Sequence, residues 1–165
     1  MIGTIPREEP RTWARQSEGD RMATENAERM QQIDDAWNSR DWESFDRLHD
    51  PDCVVYWPGR ETEPTRGGPD HRAEAIAFCD AFPDNQVKNR PYDVLFGEGE
   101  FTCFVTRFTG TFTAPFKQPD GSVIEPTNKS FDVLYSTTGR WRNGRLVEEL
   151  LFYDSATWMG QVGLG

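Results

Sequence analysis

The hydrophobic pattern has a helical period in the first half of the chain. After Thr24, which can cap a helix, apolar residues recur at steps of three and four and predict a first helix. Its apolar face consists of Ala27, Met30, Ile33 and Trp37. A second short helix is predicted after Asp41 and ends at Pro51, and a third begins at Pro69 and ends at residues 82–84.

The period changes to two in the second half of the chain. One strand is predicted earlier, over residues 53–57. Four β segments follow Pro83, at residues 87–96, 101–112, 129–141 and 145–153. The breaks between them are turn sequences, and Asn143-Gly144 is the strongest hairpin signal. Helices followed by a long antiparallel meander predict an α+β fold with one sheet curled over the helices.

The segment 101–112 indicates which side of the sheet faces inward. Thr106, Phe108, Gly110 and Phe112 alternate on one face, whereas Arg107 lies on the other. Because a charged side chain favours water, we expect the Arg107 face to be the outer one. The Phe108 face should then line the interior.

Asp154, at the end of the last predicted strand, is the first catalytic candidate. Leu150 and Phe152 have the same parity, so these three side chains should share one face and point into the interior. Apolar surroundings would raise the carboxyl pKa above its reference value of about 3.9, which suits a group that exchanges protons with carbon. Asp154 also precedes a short helical turn at Ala156, so an N-cap is the alternative role.

His71, at the start of the third predicted helix, is the second catalytic candidate, with a surface or capping histidine as the alternative. Glu148 and Asp132 are interpreted either as further carboxylates of the site or as edge residues. Interior aromatic residues should serve as both core and pocket wall. They are Tyr56, Trp57, Phe104, Phe108, Phe112, Tyr135 and Trp158.

Composition narrows the partners and the location. The 165 residues carry a formal charge of −10, which disfavours nucleic acids and membranes as partners. Residues 1–23 are rich in Pro, Arg and Glu and are expected to be a flexible tail before a single domain at residues 24–165. Three cysteines without CxxC spacing indicate reduced thiols and a cytoplasmic location.

The sequence lacks the signatures of common cofactors. It has no phosphate-binding P-loop, and residues 97–99 lack the third glycine of a dinucleotide turn. The two histidines, His49 and His71, belong to no cluster with metal-ligand spacing, and no Gly-x-Ser-x-Gly elbow occurs. We therefore expect no cofactor and no metal, and acid/base chemistry by a few ionisable groups in an apolar pocket.

The order of several short motifs resembles the SnoaL-like polyketide (ester) cyclases. The motifs are residues 82–84, Thr109-Gly110-Thr111, residues 143–149, Asp154 and residues 159–164. The resemblance covers residues 24–164 and implies a cone-shaped α+β barrel of the nuclear-transport-factor-2-like superfold, usually in an oligomer. It also implies an aromatic pocket and a cofactor-free aldol ring closure by an aspartate that corresponds to Asp154. The family often has a histidine where this chain has Phe112.

The expected function is that of a cofactor-independent cyclase or isomerase acting on a hydrophobic, carbonyl-bearing small molecule, polyketide- or terpenoid-like, in a homo-oligomer. Asp154 would remove a C–H proton next to a carbonyl and later reprotonate the product. One alternative is a hydrolase or hydratase of a small ring (epoxide or lactone), with Asp154 and Asp132, Glu148 or Arg107 around one water. The other is a non-catalytic binding or assembly domain, favoured if Asp154 only caps the turn and faces solvent.

Overall fold

The computed structural model describes residues 12–60, 62–118 and 120–165. Its elements are α1 (Thr12–Ser39), α2 (Trp42–Leu48), β1 (His49–Tyr56), β2 (Thr65–Arg66), α3 (Gly68–Ala81), β3 (Gln86–Val87), β4 (Val94–Glu98), β5 (Phe101–Thr111), β6 (Phe116–Lys117), β7 (Val123–Ile124), β8 (Ser130–Arg142), β9 (Arg145–Phe152) and α4 (Ser155–Val162). Within these ranges, every helix is too short or too polar to span a bilayer.

One seven-stranded sheet organises the fold. Its order is β2-β1-β9-β8-β5-β3, with β4 also paired to β5, and β6 and β7 form a separate two-stranded sheet. All pairs are antiparallel except β1 with β9. The predicted hairpin at Asn143-Gly144 joins β8 to β9 with positive φ at both residues (52° and 75°), as a type I′ turn requires. The α+β prediction is confirmed, although the sheet is curved and not closed into a barrel.

Two predicted boundaries are wrong. The first helix begins at Thr12 and not after Thr24, whose hydroxyl instead bonds to the Asp20 carbonyl one turn earlier. Residues 12–23 of the predicted tail are therefore helical, and residues 1–11 lie outside the described residues. The predicted strand at residues 87–96 is two strands, because Pro91 has no N–H to donate and the Asn89 side chain binds α1.

The core lies between the helices and the inner face of the sheet. Phe78 and Phe82, at the end of α3, stack on each other with ring centroids 4.7 Å apart, and Phe108 and Phe112 of the sheet side stack on them in turn. The predicted inner face of β5 is buried, and Arg107 is exposed on the outer face. Inside and outside were therefore predicted correctly for this strand.

A β-bulge reverses the alternation in β9. Trp141 pairs with Leu146 but Arg140 pairs with Glu148, so β9 has one extra residue, Val147, between these two pairs. After the bulge, Glu149 and Leu151 are buried and Phe152 is exposed. The predicted inward face of Leu150, Phe152 and Asp154 is therefore wrong, because a one-residue shift moves every later side chain to the opposite face.

Candidate active site

Asp154 faces solvent at the N-terminus of α4. Its Oδ1 accepts hydrogen bonds from the N–H groups of Ala156 (3.0 Å) and Thr157 (3.1 Å), and its Oδ2 accepts one from the Thr157 hydroxyl (2.6 Å). The bonds from Thr157, first the hydroxyl and then the N–H, lower the pKa of Asp154. The N-cap alternative is confirmed, whereas the predicted apolar surroundings and raised pKa are wrong because of the bulge in β9.

The other carboxylates named from the sequence also lie away from the interior. Asp132 pairs with Arg107 on the outer face of the sheet at 2.7 Å, and both side chains are exposed. Glu148 pairs with Arg140 at 2.9 Å. The hydrolase alternative required these groups to converge with Asp154 around one water, and their positions on the outer face do not meet that requirement.

An interior pocket lies between α1, α3 and the inner face of the sheet. Its volume is about 30 Å³, which is room for about one or two water molecules. Trp57, Phe108 and Tyr135, three predicted wall residues, line it with other mostly apolar side chains. The ionisable groups at its wall, besides tyrosines, are Asp34, His71 and Glu149.

A wider groove of about 530 Å³ adjoins this pocket. Trp57, Phe78 and Tyr153 line both cavities, and the predicted wall residue Trp158 lines the groove. The Trp57 indole N–H donates a hydrogen bond of 2.7 Å to Glu74, which orients the ring at the boundary between the two cavities. Aromatic side chains line one part of the groove, and the charged side chains of Arg60, Asp70, Glu74 and Lys117 line the rest.

Three predicted wall residues lie outside both cavities. Phe104 is fully buried, with its ring between Tyr92 (4.7 Å) and Tyr135 (5.5 Å). Phe112 is also fully buried because it stacks on Phe82. Tyr56 is half-buried at the end of β1. Their rings pack against the core or lie at a strand end, so the predicted wall is corrected at these positions.

Asp34 is a buried carboxyl that the sequence analysis missed. It lies on α1 with 6% of its surface exposed, and its Oδ2 accepts a 2.6 Å hydrogen bond from the Tyr92 hydroxyl. Burial raises the pKa of Asp34 well above its ordinary value, and the bond from Tyr92 opposes that rise. The signal was present, because Asp34 is four residues after Met30 and three before Trp37, on the predicted apolar face.

His71 and Glu149 form the other polar wall, with His49 behind them. The Glu149 Oε2 lies 3.5 Å from the His71 Nε2 and 3.8 Å from the His49 Nε2. All three side chains are buried, so the surface alternative for His71 is wrong. Burial lowers the pKa of His71 well below its usual range, and the neighbouring His49 acts in the same direction.

These three side chains could also hold a metal ion. One donor atom from each lies within 4.8 Å of the other two, in the only such group of three that the described ranges contain. The sequence showed no metal-ligand spacing because the three residues come from β1, α3 and β9, and because the bulge turns Glu149 inward.

Comparisons with known proteins agree with this fold. A family model described as SnoaL-like polyketide cyclase matches residues 27–162. IdmH of Streptomyces antibioticus, a candidate polyketide cyclase, is 22% identical with a TM-score of 0.68, over 84% of this chain and 98% of that one. A candidate polyketide cyclase of Xanthomonas campestris pv. campestris is 15% identical, with a TM-score of 0.70 over 85% and 98%.

A candidate ketosteroid isomerase of Kribbella flavida DSM 17836 is similar over 80% of this chain and 79% of its own, with 14% identity and a TM-score of 0.58. Among curated protein sequences, none matches. At these identities the structural likeness establishes the shared fold and leaves the reaction to be argued from the pocket.

Proposed function

Because the chain belongs to the SnoaL-like polyketide cyclase family, we propose that it is a cyclase or isomerase that moves protons on a hydrophobic, carbonyl-bearing small molecule. The proposal depends on one observation above all: the buried Asp34 carboxyl, with its raised pKa, at the wall of an aromatic pocket. Groups of strongly shifted pKa in a cleft are typical of acid/base sites.

In the proposed reaction, the Asp34 carboxylate removes a proton from a carbon next to a carbonyl. The resulting enolate either attacks a second carbonyl, which closes a ring and leaves an alkoxide, or keeps its skeleton. Asp34 then returns its proton once, to the alkoxide oxygen of the cyclised product or to another carbon of the enolate, which isomerises the substrate. A raised pKa brings the carboxyl closer to the working pH, where one group can both accept and release a proton.

Two other side chains are proposed to orient the Asp34 carboxyl and to contact the substrate. Tyr92 holds Oδ2, and no other hydrogen bond to this carboxyl occurs among the described side chains, so Oδ1 is left for the substrate. His71, which lines the same pocket, is the proposed contact for the carbonyl oxygen. This keeps the sequence-based proposal for His71 and replaces Asp154 by Asp34 as the proton-transfer group.

The two cavities suggest how a substrate fits. The inner pocket of about 30 Å³ admits only the reacting end of a molecule in this conformation. The groove of about 530 Å³ lies within the range of roughly 300–1,000 Å³ that small-molecule sites occupy. Its walls at Trp57, Phe78 and Trp158 favour a flat, apolar body, such as a polyketide-like chain or ring.

Proton exchange tests the proposal without knowledge of the natural substrate. A β-keto ester with an aromatic tail is incubated in D₂O, and NMR follows deuterium uptake at the carbon between the carbonyl groups. We expect wild type and Asp154→Asn to accelerate uptake and Asp34→Asn to lose about 10²–10⁴-fold of that acceleration. If Asp34→Asn were as fast as wild type while Asp154→Asn were inactive, Asp34 would not be the base.

Hydration or hydrolysis of a small ring is the second candidate. The supporting observation is the size of the inner pocket, which matches an ordered water next to Asp34, His71 and Glu149. Incorporation of ¹⁸O from labelled water into the product distinguishes it, because cyclisation and isomerisation take no oxygen from solvent.

The exposed, capping Asp154 is the outcome that favoured a non-catalytic binding domain. The buried ionisable groups now provide the argument for an enzyme, at different residues. A ligand that binds wild type and Asp34→Asn equally, and that neither protein converts, would support the binding domain.

A further inference from the structure

We propose that His49, His71 and Glu149 form a three-ligand site for a divalent transition-metal ion such as Zn²⁺. The binding of the ion is independent of the proposed function. Only its role rests on that function: in the ion-loaded protein, the ion would take the place of His71 as the contact for the substrate carbonyl oxygen. Two histidines and one glutamate are a ligand set that zinc enzymes use, with the fourth position left for water or substrate.

The spacing of the donors is close to that of a bound site. Ligands at about 2.0–2.1 Å from a tetrahedral ion are about 3.3–3.4 Å from one another. The Glu149 Oε2 is 3.5 Å from one imidazole nitrogen and 3.8 Å from the other, and all three donors fit within 4.8 Å. Small side-chain rotations would complete the geometry, whereas a direct hydrogen bond would require a shorter distance.

The orientation of His49 is the strongest indication of a cation. Its Nδ1 lies 2.8 Å from the Phe45 carbonyl oxygen and must donate to it, so in the neutral ring Nε2 carries a lone pair. That lone pair points towards a carboxylate and is buried without a hydrogen-bond partner. The carboxylate and this nitrogen face each other without a bridging group, and a cation between them, either a metal ion or a proton, would satisfy both.

The bond from His49 to a carbonyl is also the usual support of a metal ligand. Metal-bound histidines donate their other ring N–H to a carbonyl or carboxylate, which fixes the ring and its tautomer. Phe45 provides this carbonyl and also packs on both imidazoles, with centroids 4.2 Å from His49 and 5.1 Å from His71. The site is therefore held in place by a backbone group and an aromatic wall.

The site adjoins the pocket in a way that leaves room for chemistry. His71 and Glu149 line the inner pocket, and His49 lies behind them. An ion held by three side chains has a coordination position free, and substrate or water in the pocket is the available ligand. A bound divalent ion polarises a carbonyl and stabilises an enolate oxygen, while Asp34 handles the proton.

A proton shared between Glu149 and the imidazoles is the rival explanation, and metal titration distinguishes the two. The purified chain is freed of metal with a chelator and titrated with CoCl₂, whose visible absorption reports tetrahedral nitrogen and oxygen ligation, and then with ZnCl₂ by calorimetry. We expect one ion per chain, displacement of Co²⁺ by Zn²⁺, and a rise in Tm with either ion.

Variants assign the ligands. We expect each of three single variants, His49→Gln, His71→Gln and Glu149→Gln, to lower the affinity for metal. The loss should exceed the roughly 10–100-fold that follows removal of a residue that only hydrogen-bonds to a metal ligand. Asp154→Asn should bind as wild type does. Cys53→Ser tests whether the Cys53 thiol is a metal ligand instead. We expect this variant to bind metal as wild type does, because burial and the charge of Glu149 raise the thiol pKa to about 12 and so disfavour the thiolate. Circular dichroism and the Tm of each metal-free variant establish that it is folded.

Absence of stoichiometric binding to folded wild type would overturn the metal site, as would binding that survives all three ligand variants. The proposed function is read separately, from the Asp34 dependence of proton exchange. If the protein binds metal but Asp34→Asn exchanges protons as fast as wild type, only the proton-transfer proposal fails. If Asp34→Asn is slow but the protein binds no metal, only the metal site fails.

Discussion

Replacement of Asp34 by Asn should stabilise the protein, and the gain should grow with pH. Burial raises the pKa of Asp34 well above its ordinary value of 3.8. Below that value the carboxyl is protonated in both the folded and the unfolded state, so wild type and variant should unfold alike. As pH rises, the unfolded chain releases the proton first, and wild type loses stability until the pH passes the folded-state pKa.

The magnitude follows from the size of the pKa difference. Each unit by which the folded-state pKa exceeds the unfolded one lowers the free energy of unfolding by about 1.4 kcal/mol at high pH. For a chain of this length, 1 kcal/mol changes Tm by about 2–4 °C. Asn has the shape of Asp and can still accept the hydrogen bond from Tyr92, so the substitution changes the ionisation and little else.

Thermal unfolding by circular dichroism at several pH values between 4 and 8.5 measures the effect. Asp80→Asn is the control, because Asp80 is exposed on α3 and its replacement leaves no buried carboxyl changed. A Tm difference between Asp34→Asn and wild type that stays constant with pH would refute the reasoning. It would mean that the Asp34 carboxyl ionises in the folded protein as it does in water.

Three further predictions concern other elements. Asp154→Ala should lower Tm because it removes the N-cap of α4, whereas Asp154→Asn keeps a capping oxygen and should not. Because the pKa of Asp154 is lowered in the folded protein, the difference in Tm between wild type and Asp154→Ala should shrink as pH falls through that pKa. Gly110→Ala should destabilise by about 1–3 kcal/mol in chemical denaturation, since its Cβ would lie 2.9 Å from the Phe131 ring, whereas Gly160→Ala in α4 meets nothing within 4 Å. The expected homo-oligomer should dissociate in Leu134→Glu, measured by sedimentation, if the exposed Leu134 side chain on the outer face of β8 packs on a second copy.

Local patterns predicted most of the fold. Alternation in residues 101–112 identified the inner face of β5, because that strand pairs with β8 without a bulge along its whole length. The Asn-Gly signal identified the β8–β9 hairpin for a similar reason, since positive φ at both residues is a local requirement. Such features depend on a few neighbouring residues, which the sequence displays.

The candidate site was harder to predict because one long-range irregularity decides it. Because Val147 is an extra residue in β9, Glu149 and not Glu148 faces the pocket, and Asp154 faces solvent. A bulge depends on how β9 fits against β8 and β1, and alternation of side chains does not report it. Asp34 was different, since helical spacing alone places it among Met30, Ile33 and Trp37.

Removal of the Tyr92 hydrogen bond tests whether Asp34 transfers protons or has only a structural role. A carboxyl buried without a basic partner costs several kcal/mol, and the Tyr92 hydroxyl is the one hydrogen-bond partner of the Asp34 carboxyl among the described side chains. A bond that only tied Tyr92 to α1 would explain the position of Asp34 without any chemistry.

Tyr92→Phe removes the bond that lowers the pKa of Asp34, so that pKa should rise further. If Asp34 must be ionised to take the substrate proton, the acidic limb of the pH–rate profile for deuterium exchange should then move to higher pH. Loss of Tm with an unmoved acidic limb would show that the Asp34–Tyr92 pair only holds α1 to the segment before β4.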